Sequence, residues 1–369
     1  MRALALALWV TAGLTGADFG SLPGAMVPGR PHFRVFSPRD GLPQGTVMAL
    51  AFDRRGALWV GTQDGVAWYD GRVWNTVDMP DRVISNYVET VCPAADGSIW
   101  FGRQDGGLAH LKQGVWRTFT QKDGLPADRV TSVVELRGSS GAPQLWVGTY
   151  GGGLARFTEG RWDIIDTKRG LPDNRIWRLV PRVMADGRDE LWVCGEGGML
   201  ARIDAQGQVH AYPGLPGKSI NCVLETTDAA GQPELWVTTF GAGIGHFSEG
   251  RWRFMATQEG LPSNFTTDVA ETRSLVGARV LWFSTVAGLV RMEGGVLRTF
   301  DVRWGLPTDT VYRLRRDPYR PDALWIGTLG GGLLYFQEGS WLTHDAPSGL
   351  PGNYIAAMTQ SRTGGGNQG

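Results

Sequence analysis

Side chains suited to chemistry are thinly spread along this chain. Five histidines, His32, His110, His210, His246 and His344, stand apart, and none joins an HExxH pair or a Cys/His cluster. Cys92, Cys194 and Cys222 fit neither a CxxC metal site nor a disulfide framework and read as buried thiols. No P-loop or nucleophile elbow occurs, so neither a metal nor an organic cofactor is expected. Three acids, Glu89, Glu196 and Asp268, offer more, because carboxylates facing one another across a channel can hydrolyse or eliminate glycans. The pair Trp177-Arg178 offers binding instead: an indole stacks on the apolar face of a sugar, and a forked guanidinium fixes its oxygens.

What must position these groups is a repeat. A Leu-Trp or Ile-Trp pair places tryptophan at 59, 100, 146, 192, 236, 282 and 325, a spacing of 41 to 46 residues. A second mark, Gly-Leu-Pro, begins at Gly41, Gly124, Gly170, Gly214, Gly260, Gly305 and Gly349, with Arg82-Val83-Ile84 in the missing slot. Each unit reads as four short strands separated by glycine-rich turns, which leaves no room for paired helices. This predicts an all-β fold, a seven-bladed β-propeller of four-stranded antiparallel blades. The 54 glycines and 16 tryptophans suit many tight turns around large flat side chains, and 42% hydrophobic residues supply a core. With 36 basic and 36 acidic residues there is no charge excess to attract nucleic acid.

The termini differ from the repeats. Arg2 precedes the apolar run 3–14, and Thr15-Gly16-Ala17 has the small residues a signal peptidase reads, so residues 1–17 are expected to be an export signal and the mature protein periplasmic or extracellular. Residues 18–31 read as a linker, 32–360 as the propeller with seven complete repeats over 41–348, and 361–369 as a flexible tail. Phe33 to Phe36 resembles an outer strand with no blade before it, and Asn353 to Ala356 an innermost strand with no blade after it. Either these surplus strands patch the ring's seam, or the chain is the first portion of a longer protein.

The unit Gly-Leu-Pro-x-Asn/Asp-x-Val, then Gly-x-Leu-Trp-Val-Gly-Thr, then Gly-Gly-Leu-x-Arg-Phe, resembles the two-component regulator propeller repeat, with good copies over 124–157 and 305–336. The resemblance implies an extracytoplasmic sensor. It further implies downstream signalling domains, a kinase or a cyclase, in a longer chain or a partner, and assembly as a homodimer.

Slots filled alike in every unit serve the fold, and slots that vary are free to serve a ligand. Four residues after the proline the slot is apolar in all units but one: Val47, Val88, Val130, Ile176, Ile220, Thr266, Val311. The fifth slot varies through Met48, Glu89, Thr131, Trp177, Asn221, Thr267 and Tyr312, and the sixth includes Arg178, Asp268 and Arg313. The hairpin slot four residues after the tryptophan includes Gln104, with Arg103 beside it, Tyr150, Glu196 and Phe240. Of these, Trp177 and Arg178 foremost, with Arg313, Tyr312, Asp268, Glu89, Asn221, Arg103, Gln104, Tyr150, Glu196 and Phe240, are the candidate ligand rim on the Gly-Leu-Pro face. The expected partner is a polar small molecule, a saccharide or sugar acid, bound without chemistry. The competing readings are a propeller hydrolase or lyase using the three acids, streptogramin lyases having seven similar blades, and a protein-binding scaffold using the opposite face.

Overall fold

The computed structural model describes residues 31–79, 86–138, 141–184, 189–228 and 230–341. The expected signal segment, most of the linker, and the tail and surplus strand beyond residue 341 lie outside them. Twenty-eight strands, β1 to β28 in chain order, form seven four-stranded antiparallel sheets. The innermost strands are β2 (Val47–Phe52), β6 (Val88–Pro93), β10 (Val130–Arg137), β14 (Ile176–Arg182), β18 (Ile220–Thr227), β22 (Thr266–Arg273) and β26 (Val311–Arg316). Each lies beside the next, and β26 lies beside β2, which closes a seven-bladed ring.

Both sequence marks have a physical cause. Gly-Leu-Pro follows a one-turn 3-10 helix, and its glycine ends that turn in the left-handed region, with φ of 110° at Gly41 and 95° at Gly124. The leucine is buried. The Asn or Asp two residues past the proline reaches back to cap the turn, Asn174 accepting from the Thr167 amide at 2.9 Å and Asn264 from Thr257 at 2.8 Å. The tryptophans lie between blades, and seven hydrophobic clusters fill the seven interfaces. The glycine of Trp-Val-Gly sets their spacing: a Cβ on Gly102 would lie 2.6 Å from Val130 Cγ1 of the next blade.

Closure departs from the expected repeat boundaries. The outer strand of blade 7, expected around Trp341, is supplied by β1 (Pro31–Phe36), which pairs antiparallel with β28 (Leu333–Trp341), where Trp341 ends the third strand. The seam is thus patched by the N-terminal strand. Phe33 and Phe36 are both buried there, Phe36 stacked on Trp325 with 5.8 Å between centroids.

The histidines expected on the strand surface lie against tryptophans. His110 stacks on Trp100 and His246 on Trp236, each at 3.8 Å between centroids, in the slot where Arg156 covers Trp146. Burial, and then Lys112 and Arg117, lower the His110 pKa against the opposing pull of Asp96. A neutral folded His110 and a protonating unfolded one mean that stability is lost as pH falls below the ordinary value of 6.5. His110→Phe should flatten that acid limb, as read from chemical denaturation midpoints between pH 7.5 and 5.

Candidate functional site

In every blade the innermost strand carries a β-bulge at the same place, between the fourth and sixth slots, as at Val88/Thr90 and Ile176/Arg178. The fifth-slot residue is the extra one and points away from the ladder. In three blades it pins the ring. Thr131 donates to the Ile176 carbonyl at 2.7 Å, Asn221 to Thr266 at 2.7 Å, and Thr267 to Val311 at 3.1 Å, each on the following blade. Asn221 therefore serves the fold, because the bulge aims its amide at a neighbouring carbonyl. Met48, Glu89, Trp177 and Tyr312 make no such bond to the next blade and remain for the mouth of the channel.

Around them a compact cluster forms at the Gly-Leu-Pro face. Arg129 donates to Glu89 at 2.9 Å and lies over the rings of Tyr150, at 4.6 Å, and Trp177, at 5.2 Å. The two rings are 5.0 Å apart, and Trp177 donates its indole N–H to Glu196 at 3.0 Å. Burial raises the Glu89 pKa, with Arg129 pulling the other way. The Tyr87 hydroxyl reaches Met48 Sδ at 3.4 Å, and Arg313 covers Tyr312 at 4.4 Å while donating to the Met48 carbonyl across the seam at 2.7 Å.

Asp268 is buried below this layer. Its Oδ2 accepts from Arg178, two blades away, at 3.2 Å and from the Leu314 amide at 3.1 Å. Ser132 accepts the Leu179 amide at the corresponding place, at 3.0 Å. Thus Asp268 keeps a bond of the repeat and adds a charge. Burial pushes the thiols of Cys92 and Cys222 up to about 12. All three cysteines are free and buried.

The sequence-predicted residues separate accordingly. Glu89, Tyr150, Trp177 and Glu196 come together at the mouth, and Arg178, Asp268, Arg313 and Tyr312 lie close to the channel. Arg103 does not belong: it is fully buried with its guanidinium on the Gly106 carbonyl, because a hairpin folds over it. Gln104 is half-buried with its amide on the Tyr87 carbonyl, and Phe240 packs on Phe265, 4.5 Å between centroids, on the exposed rim. Arg129, Tyr87 and Phe265 were missed. They fill the slot three residues after the proline, where Thr46, Tyr87, Arg129, Arg175, Ser219, Phe265 and Thr310 vary as widely as the slots that were compared.

The repeat marks and the ring can now be set beside known proteins. Residues 41–64 match the model of the two component regulator propeller. That stretch holds the first two strands of blade 1, so the match is to one unit of the ring. A 42-residue stretch is 45% identical to histidine kinase P4 of Formosa agariphila, 11% of this chain and 3% of the kinase. The extracellular domain of a hybrid two component system from B. thetaiotaomicron superposes with a TM-score of 0.65 at 19% identity, over 83% of this chain and 42% of that one. Virginiamycin B lyase from Staphylococcus aureus superposes with a TM-score of 0.60 at 12% identity, over 83% of this chain and 99% of the lyase. A seven-bladed ring of this kind is therefore found both in an extracellular sensor domain and in a lyase, and this chain spans less than half the length of the sensor domain it matches. Among the described residues no helix is long and apolar enough to cross a membrane.

Proposed function

We propose that this propeller is the ligand-sensing unit of an exported signalling protein. It binds a polar small molecule, a saccharide or sugar acid, at the Gly-Leu-Pro mouth and leaves it unchanged. The observation that carries this reading is the mouth cluster, in which Tyr150 and Trp177 offer ring surface while Arg129, Glu89 and Glu196 set hydrogen-bonding groups at its edge. The regulator propeller repeat and the likeness to extracellular sensor domains support the signalling role. In this reading residues 1–17 direct export, and output domains follow in a longer chain or a partner. Ligand binding acts by favouring one packing of the ring, within a homodimer, over another.

The carboxylates support binding over catalysis. Glu89 is paired with Arg129, Asp268 with Arg178, and Glu196 accepts from Trp177, so each acid is tied to a donor of the ring, and among the described residues none is hydrogen-bonded to another acid as a proton-sharing dyad would be. The test is a thermal-shift screen of the exported propeller against neutral sugars, oligosaccharides and sugar acids, since a ligand that binds only the folded state raises Tm. A saturable shift that Trp177→Ala weakens about tenfold or more supports the mouth as the site. A shift unchanged by both Trp177→Ala and Tyr150→Ala overturns it.

A further inference from the structure

Beneath the mouth cluster the channel widens into a cavity of about 840 Å³ that runs to the opposite face, where Arg54, Glu135, Glu271 and Arg316 line it. Its wall includes a ring formed by the slot eight residues after the proline. Six blades fill that slot with small or aliphatic apolar side chains, Ala51, Cys92, Val134, Val180, Leu224 and Ala270, and the seventh fills it with Arg315. Among the described residues Arg315 makes no hydrogen bond and no ion pair, and it is exposed, the surface it exposes being channel surface. Arg178 lines the same cavity, and the wall packed around Arg315, and then the charge of Arg178, lower its proton affinity against the pull of Asp268. Asp268 is already bonded to Arg178 and to the Leu314 and Val269 amides. Glu271 pairs with Arg273 at 2.9 Å. Glu135, on the same cavity, takes the Ala95 amide at 2.8 Å, and Arg315 stands in a slot that is apolar in the other six blades.

We propose that Arg315, with Arg178 on the wall of the same cavity, forms an oxyanion site in the channel that takes the carboxylate, sulfate or phosphate of a small molecule entering from the face opposite Gly-Leu-Pro. A forked guanidinium and a second cation suit an anion with two or more oxygens, and the apolar side chains of the slot set no carboxylate against it. This inference stands on the cavity and does not rest on the signalling role or on the mouth site.

The test compares glucuronate with glucose, and inorganic phosphate with chloride at constant ionic strength, on the wild-type propeller and on Arg315→Leu, which copies the residue of blade 5. The wild type should show a saturable Tm rise with glucuronate and phosphate, weaker with glucose and chloride, and Arg315→Leu should bind the anions at least about tenfold more weakly. Without anion, Arg315→Leu should melt higher by roughly 2 °C, since it removes one of two like charges from the cavity wall and restores the apolar residue of the slot. Anion shifts of equal size in both proteins, or none in the wild type, overturn the site. So does a lower melting point for Arg315→Leu, and Arg315→Gln repeats the binding comparison if the leucine variant does not fold. An anion effect absent from the wild type while sugar binding at Trp177 is kept removes this site alone, and the reverse result in the wild type removes the mouth alone.

Discussion

Removal of residues 31–36 should open the ring. Without β1 the strand β28 presents an unpaired edge, and the interface of blades 6, 7 and 1 loses two buried phenyl rings, Phe33 on Phe300 and Phe336, and Phe36 on Tyr69, Trp74 and Trp325. Each ring replaced by alanine should cost about 3–4 kcal/mol, because a phenyl group leaves a cavity between sheets that are paired on both sides and cannot collapse. The full deletion should exceed either substitution and should also cause association, since a bare strand edge templates pairing with another chain. Urea denaturation midpoints read the first effect and light scattering after gel filtration the second. A deletion variant that stays monomeric with an unchanged midpoint would falsify closure by β1.

Asp268→Ala should be the most damaging substitution in the channel wall. The change leaves the Arg178 guanidinium without its carboxylate and the Leu314 and Val269 amides without an acceptor, all at a site 1% exposed. Breaking a buried pair by removing one partner costs on the order of 3–5 kcal/mol. Asp268→Asn keeps an acceptor for the Leu314 amide and should lose less. The corresponding bond in blade 3 is neutral, so Ser132→Ala should cost only about 1 kcal/mol. Denaturant midpoints for the three variants give the order directly, and equal losses for Ser132→Ala and Asp268→Ala would show that the Arg178 pair adds nothing.

The blades were legible because the repeat reports packing seven times over. The buried leucine of Gly-Leu-Pro, the left-handed glycine before it and the Asn or Asp cap recur wherever the turn recurs, so period alone located the strands. The seam was legible only as an alternative. Phe33 to Phe36 carries the pattern of an outer strand, but its pairing with residues 333–341 joins opposite ends of the chain, and a local pattern holds no information about which distant edge a strand will meet. At the mouth, slot variation found Trp177, Tyr150 and Glu89 but gave Asn221 the same standing. The bulge geometry that turns Asn221 toward the Thr266 carbonyl and leaves Trp177 at the channel is invisible in residue types. Arg129 was legible by the same comparison one slot earlier, and Arg315 by the same comparison two slots later. For Arg315 only the ring of six apolar neighbours around a cavity gives the substitution a meaning.

The central claim is that the propeller binds a polar ligand and leaves it intact. Its most direct test is calorimetric titration of the propeller with the strongest saccharide or sugar-acid hit, the same sample being held for a day and the ligand then recovered and weighed by mass spectrometry. The account predicts saturable binding lost in Trp177→Ala and a recovered ligand of unchanged mass. A product whose amount grows with time and with protein concentration would contradict it and make the ring a catalyst.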